Sequence, residues 1–487
     1  MNVRRRTLIG AGLVSLGATV PAPRGTAAAG TEPRPPSFPL RPSPDGRYLV
    51  DQTGRAFFIQ GDSPQAIFQR LTLQEVDDYL SHRRAQGFTT LLTDPTFSNN
   101  NDGFVRPTRD GQFPCLVNCD GTAYRGAAGT ADFSSPNPGY WDHVDMVLAR
   151  AEAHGFLVLH YVLAWGFKGR TMWRDLINRC NTAEICRRFG EFLGARFRHR
   201  INLIWIDGSD FDGSDMLRGP DGTSGIARAL SITQGMRAAG ATQLRTGDWS
   251  ADSISTDQTL FAPFMSVNGI YTYGVEADYG SSYYVARRAY RRTPRMPAFL
   301  KETWYEAENA VRGLPAYVRK HEWWNLLSGA TAGVVYGHGD VWPFVQGRWR
   351  AALDAPGAGD MQRMGAFMRG LAWHKLIPSE LAGTRRLVIS DNGRADPPRP
   401  TYVAAAQDPD GTLLLAYVPP SGRGRQSATL DLRGMRGPTA ASWWDPTSAR
   451  SQFAGRYPTG AAADLATPGD NDGGANDWVL LVRSVSA

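Results

Sequence analysis

Eight short apolar runs between residues 56 and 336, set apart by stretches with helical periodicity, restrict this chain more than any other feature. They cover 56–60, 89–93, 156–162, 202–206, 242–246, 264–268, 298–301 and 333–336. Between them lie segments such as 73–86 and 141–154, whose apolar residues recur every three or four positions. The second stops at Gly155, a residue type that closes helices in the left-handed conformation. Strand and helix in alternation fold as parallel βα units, and eight units in ~330 residues close into a TIM barrel. Beyond Leu376-Ile377-Pro378 the pattern changes. Runs at 387–389, 402–406, 413–418, 428–432, 440–444 and 478–482 are parted by Gly, Pro and Asp turns with no helix between them. That pattern predicts a small antiparallel β-sandwich. The expected fold is therefore α/β, a barrel over 45–375 followed by a sandwich over 376–487.

The N-terminal 44 residues stand outside this scheme. Arg4-Arg5-Arg6, an apolar run to Val20 and the small residues Ala27-Ala28-Ala29 have the form of an export signal over 1–29, with the arginines pointing to the twin-arginine route. The apolar run is shorter than the roughly 20 residues of a membrane span and is broken by Gly12 and Gly17. Residues 30–44 contain six prolines and form a linker. A secreted protein with no membrane span is expected. The formal charge of +7 suggests nucleic acid until it is resolved: only 4 of the 53 basic residues are lysine, and the arginines are spread along the chain without a cluster. Nucleic-acid binding is not expected. In an oxidising compartment the four cysteines read as local disulfides, Cys115 with Cys119 and Cys180 with Cys186. A zinc site of all four thiolates is the rival, though the spacings lack the usual C-x2-C form.

Chemistry in a TIM barrel sits at the C-terminal ends of the strands. The residues there are Asp62, Asp94, Trp165, Asp207 with Asp210, Asp248, Asn268 with Tyr271, Glu302 with Glu306, and His338. Carboxylates take sugar hydroxyls and aromatic faces stack on sugar C–H faces, so the set describes a carbohydrate-binding mouth. Glycosidic cleavage needs one carboxyl to protonate the leaving oxygen and another to attack the anomeric carbon or activate water. Asp210 after the fourth run and Glu302 after the seventh can face each other, and they form the expected catalytic pair. The remaining nine are candidate sugar contacts. Asp207, next to Asp210, either raises its pKa by repulsion or is itself the acid.

Gly61-Asp62-Ser63, Tyr140-Trp141-Asp142-His143-Val144-Asp145, Trp165-Gly166, Gly208-Ser209-Asp210, Glu302-Thr303-Trp304-Tyr305-Glu306 and Tyr336-Gly337-His338 occur in this order. Together they resemble the apiosidase-like glycoside hydrolases of family 140, once a domain of unknown function. The C-terminal part, with Tyr417-Val418-Pro419 and Trp443-Trp444-Asp445-Pro446-Thr447, looks like the small domain often attached to them and labelled collagen-binding. The resemblance implies Asp210 as acid/base, Glu302 as nucleophile, and a retaining double displacement with carboxyls about 5 to 5.5 Å apart. The chain departs from the family at three places. Ser209 replaces a glycine of the acid motif, Pro64-Gln65-Ala66-Ile67 stands where a tryptophan is usual, and Asp248 stands where a histidine is. The glycosidase class follows from the resemblance, whereas release of apiose does not.

No G-x-S-x-G, H-E-x-x-H or phosphate-cradling G-x-G-x-x-G occurs, so neither a metal nor a nucleotide cofactor is expected. Three functions remain: a hydrolase of terminal sugars, an endo-acting glycanase, and a non-catalytic carbohydrate-binding protein. The loop from Asn99 to Pro138 favours the first if it closes one end of the cleft.

Overall fold

The computed structural model describes residues 35–98, 102–214, 218–273, 281–308, 310–311 and 313–485. The expected export signal and the start of the Pro-rich linker lie outside these residues. Eight parallel strands form the barrel: β1 (Ile59–Asp62), β2 (Thr90–Thr93), β3 (Leu157–Tyr161), β4 (Leu203–Gly208), β5 (Leu244–Asp248), β6 (Asn268–Tyr271), β7 (Ala298–Glu302) and β8 (Gly333–Tyr336). Apart from β5 and β6, consecutive strands pair in parallel, and β8 pairs with β1. The one interval without a ladder, between β5 and β6, is closed by side chains. The Gly269 N–H donates to Thr246 Oγ1 at 3.0 Å and to Ser255 Oγ at 2.8 Å, while Ser255 Oγ donates to the Gly247 carbonyl at 2.9 Å.

Seven of the expected runs carry barrel strands, but the sixth is displaced. Ala262–Phe264 is a 3₁₀ turn, and the strand begins at Asn268, where the apolar run ends. Asn268 therefore lies at the bottom of the barrel, buried, with neither polar side-chain atom bonded. Alternation along the strands divides the core. Ile59, Leu92, Leu157, Leu159, Ile204, Ile206 and Phe299 fill the barrel interior, while Val158, Leu203 and Trp205 face the surrounding helices.

The helical layer includes α1 (Leu73–Ala85), α2 (Pro138–Ala153), α3 (Ala183–Phe197), α4 (Gly225–Ala238), α5 (Ser281–Arg291), α6 (Pro315–Ser328) and α7 (Pro356–Arg369). A reciprocal capping box starts α1: Thr72 Oγ1 accepts from the Glu75 N–H at 3.2 Å and Glu75 Oε2 from the Thr72 N–H at 3.0 Å. Gly155, at φ 75°, follows α2 and turns the chain into β3. Among the described residues no helix is long and apolar enough to cross a membrane.

From Ile377 the chain forms two antiparallel sheets. The larger contains Ile377–Pro378, β9 (Ala404–Gln407), β10 (Leu413–Val418), β12 (Thr439–Trp444), β13 (Ser451–Tyr457) and β15 (Trp478–Ser484), and the smaller pairs β11 (Ser427–Asp431) with β14 (Ala462–Ala466). Leu414, Ala416 and Val418 point to the small sheet, and Leu413, Leu415 and Tyr417 to the barrel. This double burial explains why β10 is apolar throughout rather than alternating. The stretch at 387–389 makes only an isolated bridge, Val388 to Leu430, instead of a strand. On the barrel side α6 supplies Trp323, stacked on Tyr417 at 5.9 Å, and Trp324, whose Nε1–H donates to the Tyr402 carbonyl at 2.8 Å. Arg319 of α6 forks onto Asp477 at 2.7 and 2.8 Å. Ion pair and aromatics join the two parts into one packed body.

The cysteine pairing differs from both sequence expectations. Cys119 bonds Cys180, 61 residues away, while Cys115 and Cys186 are free and buried. The cause is the fold of the long loop after β2, which lies against the segment before α3. Asp175 Oδ1 accepts from the N–H groups of Gly129 at 2.9 Å and Ala131 at 2.8 Å, and Asn181 Nδ2 donates to the Ala131 carbonyl at 2.8 Å. These contacts carry Cys119 to Cys180, while Cys186 turns into the core on α3. Constraining a closed loop of this length is worth up to about 4 kcal/mol. Reduction is expected to lower the guanidinium midpoint of the wild type and to leave that of Cys119→Ser, already lowered, unmoved. Equal midpoints for oxidised and reduced wild type would contradict this.

Candidate active site

A cavity of about 600 Å³ opens at the C-terminal ends of the strands. Asp94, Asp210, Asp248, Tyr271 and Glu302 line it, joined by Tyr161, Tyr273, Trp304, Tyr305 and Trp342. Asp210 and Glu302 thus share one cavity, Asp210 following β4 and Glu302 ending β7.

The acid motif is a run of three positive-φ residues: Gly208 at 96°, Ser209 at 121° and Asp210 at 55°. A Cβ on Gly208 would stand 2.0 Å from the Asp248 carbonyl oxygen, so no other residue fits there. Ser209 adopts its angle at a cost of order 1 to 3 kcal/mol, held by its N–H bond to that carbonyl at 2.8 Å. The turn delivers Asp210 to the cavity wall, where Tyr271 O–H donates to its Oδ1 at 2.8 Å. Asp210 is half-buried. Burial, then the charges of Asp248 and Glu302, push its carboxyl up to about 8 against the lowering effects of Tyr271 and Lys301.

Glu302 owes its position to a bulge. Ile270 pairs with Leu300 but Tyr271 pairs with Glu302, so Lys301 is the extra residue on β7. Lys301 turns inward, fully buried, and its ammonium meets Glu302 and Asp248, the latter at 2.7 Å. Tyr161 O–H donates to the same Asp248 oxygen that Lys301 holds. Burial works against the ammonium, but Asp248 and Glu302 outweigh it and raise its pKa. Glu302 is thereby held by a charge-assisted bond from the ammonium. Tyr305 reinforces this side, bonding Ser63 Oγ at 2.7 Å and accepting from Gln65 Nε2 at 3.1 Å. Tyr273 stacks on Trp304 at 4.6 Å and its O–H donates to Glu308, an aromatic platform beside the carboxylates. Just after β2, Asp94 has Oδ1 fixed by the Thr96 N–H at 2.7 Å, and burial pushes its carboxyl up to about 7.

Six expected sugar contacts lie elsewhere. Asp62 and Asp207 occupy the outward-facing phase of their strands. Asp62 pairs with Arg83 of α1 at 2.6 Å, and Asp207 with Arg245 at 2.7 Å and Thr233 of α4 at 2.8 Å. Asp207 is thus buried in an ion pair outside the cavity lining, and the largest charge effects on Asp210 come from Asp248 and Glu302. Trp165 is buried behind the wall among Trp173, Trp249 and Phe261. Asn268 is at the opposite end of its strand. Glu306 is buried, accepting from Tyr336 O–H at 2.5 Å and from the Gly357 N–H at 3.0 Å, so it braces the N-terminus of α7. His338 accepts the Asp340 N–H at 3.0 Å and does not line the cavity. Conversely, Lys301, Tyr161, Gln65 and Glu308 were not expected, whereas Tyr273, Trp304 and Tyr305 are strand-end aromatics of the kind expected in a sugar-binding mouth. Among its described residues, the loop from Asn99 to Pro138 contributes nothing to the wall; Asp94, Phe97 and Ser98, which precede it, do.

An eight-stranded parallel barrel with a carboxylate-rich, aromatic mouth after β4 and β7 defines the class of glycoside hydrolases. The family model for the apiosidase-like catalytic domain matches residues 43–375, and the chain belongs to that family. Two solved structures share the architecture over nearly the whole length. One, described as a glycoside hydrolase, is 19% identical with a TM-score of 0.72, covering 93% of this chain and 98% of its own. The other, a glycoside hydrolase family 5 protein from Bacteroides vulgatus, is 20% identical with a TM-score of 0.73, covering 91% and 93%. No curated protein matches the chain.

Proposed function

We propose that this glycoside hydrolase is exported and removes a terminal sugar, furanosides included, from a polysaccharide or glycoconjugate by a retaining double displacement. The observation that carries the mechanism is the pairing of Asp210 and Glu302 in one cavity with opposite electrostatic settings. Asp210, pushed to about 8, keeps its proton at neutral pH; Glu302 sits against an ammonium. In the first step the Asp210 carboxyl gives its proton to the glycosidic oxygen as the C–O bond breaks, and Glu302 bonds to the anomeric carbon. In the second, Asp210 takes a proton from water, whose oxygen displaces Glu302 and restores both carboxyls. Tyr271, donating to one Asp210 oxygen, orients the other toward the leaving group. A cavity of 600 Å³ is of small-molecule size, which supports action on one terminal unit. Export is supported by Arg4-Arg5-Arg6 and the apolar run after them, and by a disulfide of the kind oxidising compartments preserve.

The first-formed sugar, followed by NMR before mutarotation, is expected to keep the anomeric configuration of the substrate; the opposite anomer overturns retention. A digest that yields a ladder of oligomers replaces terminal action with an endo-acting glycanase. The pH profile tests the acid. A carboxyl with its pKa raised is competent below that value and lost above it, so kcat/KM is expected to fall as pH rises through about 8. An alkaline limb that persists unchanged in Asp210→Asn assigns it to another group.

A further inference from the structure

A two-carboxylate mechanism uses Asp210 and Glu302, yet the cavity wall carries three more acids, Asp94, Asp248 and Glu308. Among the described lining residues there is no lysine, arginine or histidine. That is the reverse of the chain as a whole, in which 53 basic residues exceed 46 acidic ones. Lys301, the cation bonded to two of these carboxylates, lies beneath the wall with no exposed surface, and Asp248, Glu302 and Tyr161 surround its ammonium. Its three donors are already engaged by two carboxylates and a hydroxyl. Lys168 and Arg170 stand exposed on the turn between the lining residues Phe167 and Thr171 without lining the cavity themselves.

Recognition of a sugar carboxylate, sulfate or phosphate calls for a guanidinium fork or an ammonium with free donors. Here such a group would meet acidic side chains on three sides: Asp94 after β2, Asp210 after β4 with Asp248 at the end of β5, and Glu302 at the end of β7 with Glu308 beyond it. Asp210 adds its charge as pH rises through about 8. None of these can turn away easily. Asp94 is pinned by Thr96, Asp248 by Lys301 and Tyr161, Asp210 by Tyr271, and Glu308 by Tyr273. We infer that the cavity selects its sugar by charge, admitting uncharged and amino sugars and rejecting uronic acids and sulfated or phosphorylated sugars, with Asp94 a specificity-determining residue. The inference rests on the glycosidase reading of this cavity and adds the chemical class of the sugar. Like charges a few ångströms apart in a partly desolvated site oppose binding by a factor of 10² or so.

The experiment compares matched triplets by calorimetry on wild-type protein at pH 8 and low salt: glucose, glucosamine and glucuronate, and the galactose and arabinose counterparts. Where the parent sugar or its amine binds, the uronate is expected to bind at least about tenfold more weakly. That gap should narrow severalfold in Asp94→Asn or, should that variant not fold, in Glu308→Gln at the rim. A uronate that binds within about threefold of its parent overturns the inference, as does failure of every neutral and amino sugar to bind. Hydrolysis separates this from the function itself. Turnover of nitrophenyl uronides as fast as neutral glycosides sinks charge selection and leaves the glycosidase standing. Charge-ordered binding with no turnover of any glycoside sinks the proposed terminal-sugar activity alone.

Discussion

Asp210→Asn is expected to lower kcat/KM by about 10² to 10⁴ on a natural glycoside and by far less on a nitrophenyl glycoside. The difference follows from what each leaving group asks of the protein. An alkoxide leaves only with a proton, and the carboxyl that holds one at neutral pH on this wall is Asp210. Nitrophenolate leaves unaided, so its first step survives the loss, and the slow step becomes removal of the sugar from Glu302, for which Asp210 is the base. Accumulation of a covalent adduct on Asp210→Asn, seen as a mass increase of one glycosyl unit, is the companion expectation. Glu302→Gln differs, since loss of the attacking oxygen stops both substrates. If the two variants were impaired to the same degree whatever the leaving group, the assignment of acid and nucleophile would fail. If Asp210→Asn hydrolysed a natural glycoside at the wild-type rate, Asp94, another lining carboxyl, which burial pushes up to about 7, would be the next group to test.

The carboxylates that did and did not reach the cavity show what a sequence of this kind discloses. The barrel was legible because burial on both faces makes each strand a continuous apolar run. The same continuity hides which residue faces inward. Within β4, Ile204 and Ile206 are interior, so period-two alternation already assigns Asp207 to the helix side, where Arg245 meets it. Asp62 is set by the same parity from Ile59, and α1 brings Arg83 to it. The parity rule breaks at the bulge: from interior Phe299 alternation carries Lys301 inward, as found, but would turn Glu302 outward. In an unbroken strand Lys301 and Glu302 would point to opposite faces, and only the register shift beside Tyr271 brings both to one cluster. Asn268 failed for a different reason. The true strand, Asn268-Gly269-Ile270-Tyr271, contains a glycine and is less apolar than the turn before it. The cysteine pairing depended on contacts between segments about 60 residues apart, which no local spacing encodes.

Lys301→Met is expected to destabilise the protein by about 3 to 5 kcal/mol, the cost of leaving buried charges without their partner. The ammonium makes two ion pairs at once, and the two carboxylates it holds, Asp248 and Glu302, also act on Asp210. Its removal therefore raises the repulsion among three acids on one wall. The sign of the pH dependence follows. Carboxyls deprived of the ammonium take up protons in the folded state at higher pH than in the unfolded chain, so the variant loses stability as pH rises from about 5 to 8. In the wild type, Lys301, with its pKa raised, contributes stability below its unfolded value that is lost only as pH climbs through the higher folded one. Adding Asp248→Asn removes one of the stranded charges, and the double variant should recover a substantial part of the deficit although it lacks more of the native network. Guanidinium unfolding of the four proteins at pH 5 and pH 8 closes the cycle. Additive losses with no pH dependence would mean that Lys301 merely fills space, and the account of Glu302 as a carboxylate held in place by an ammonium would go with it.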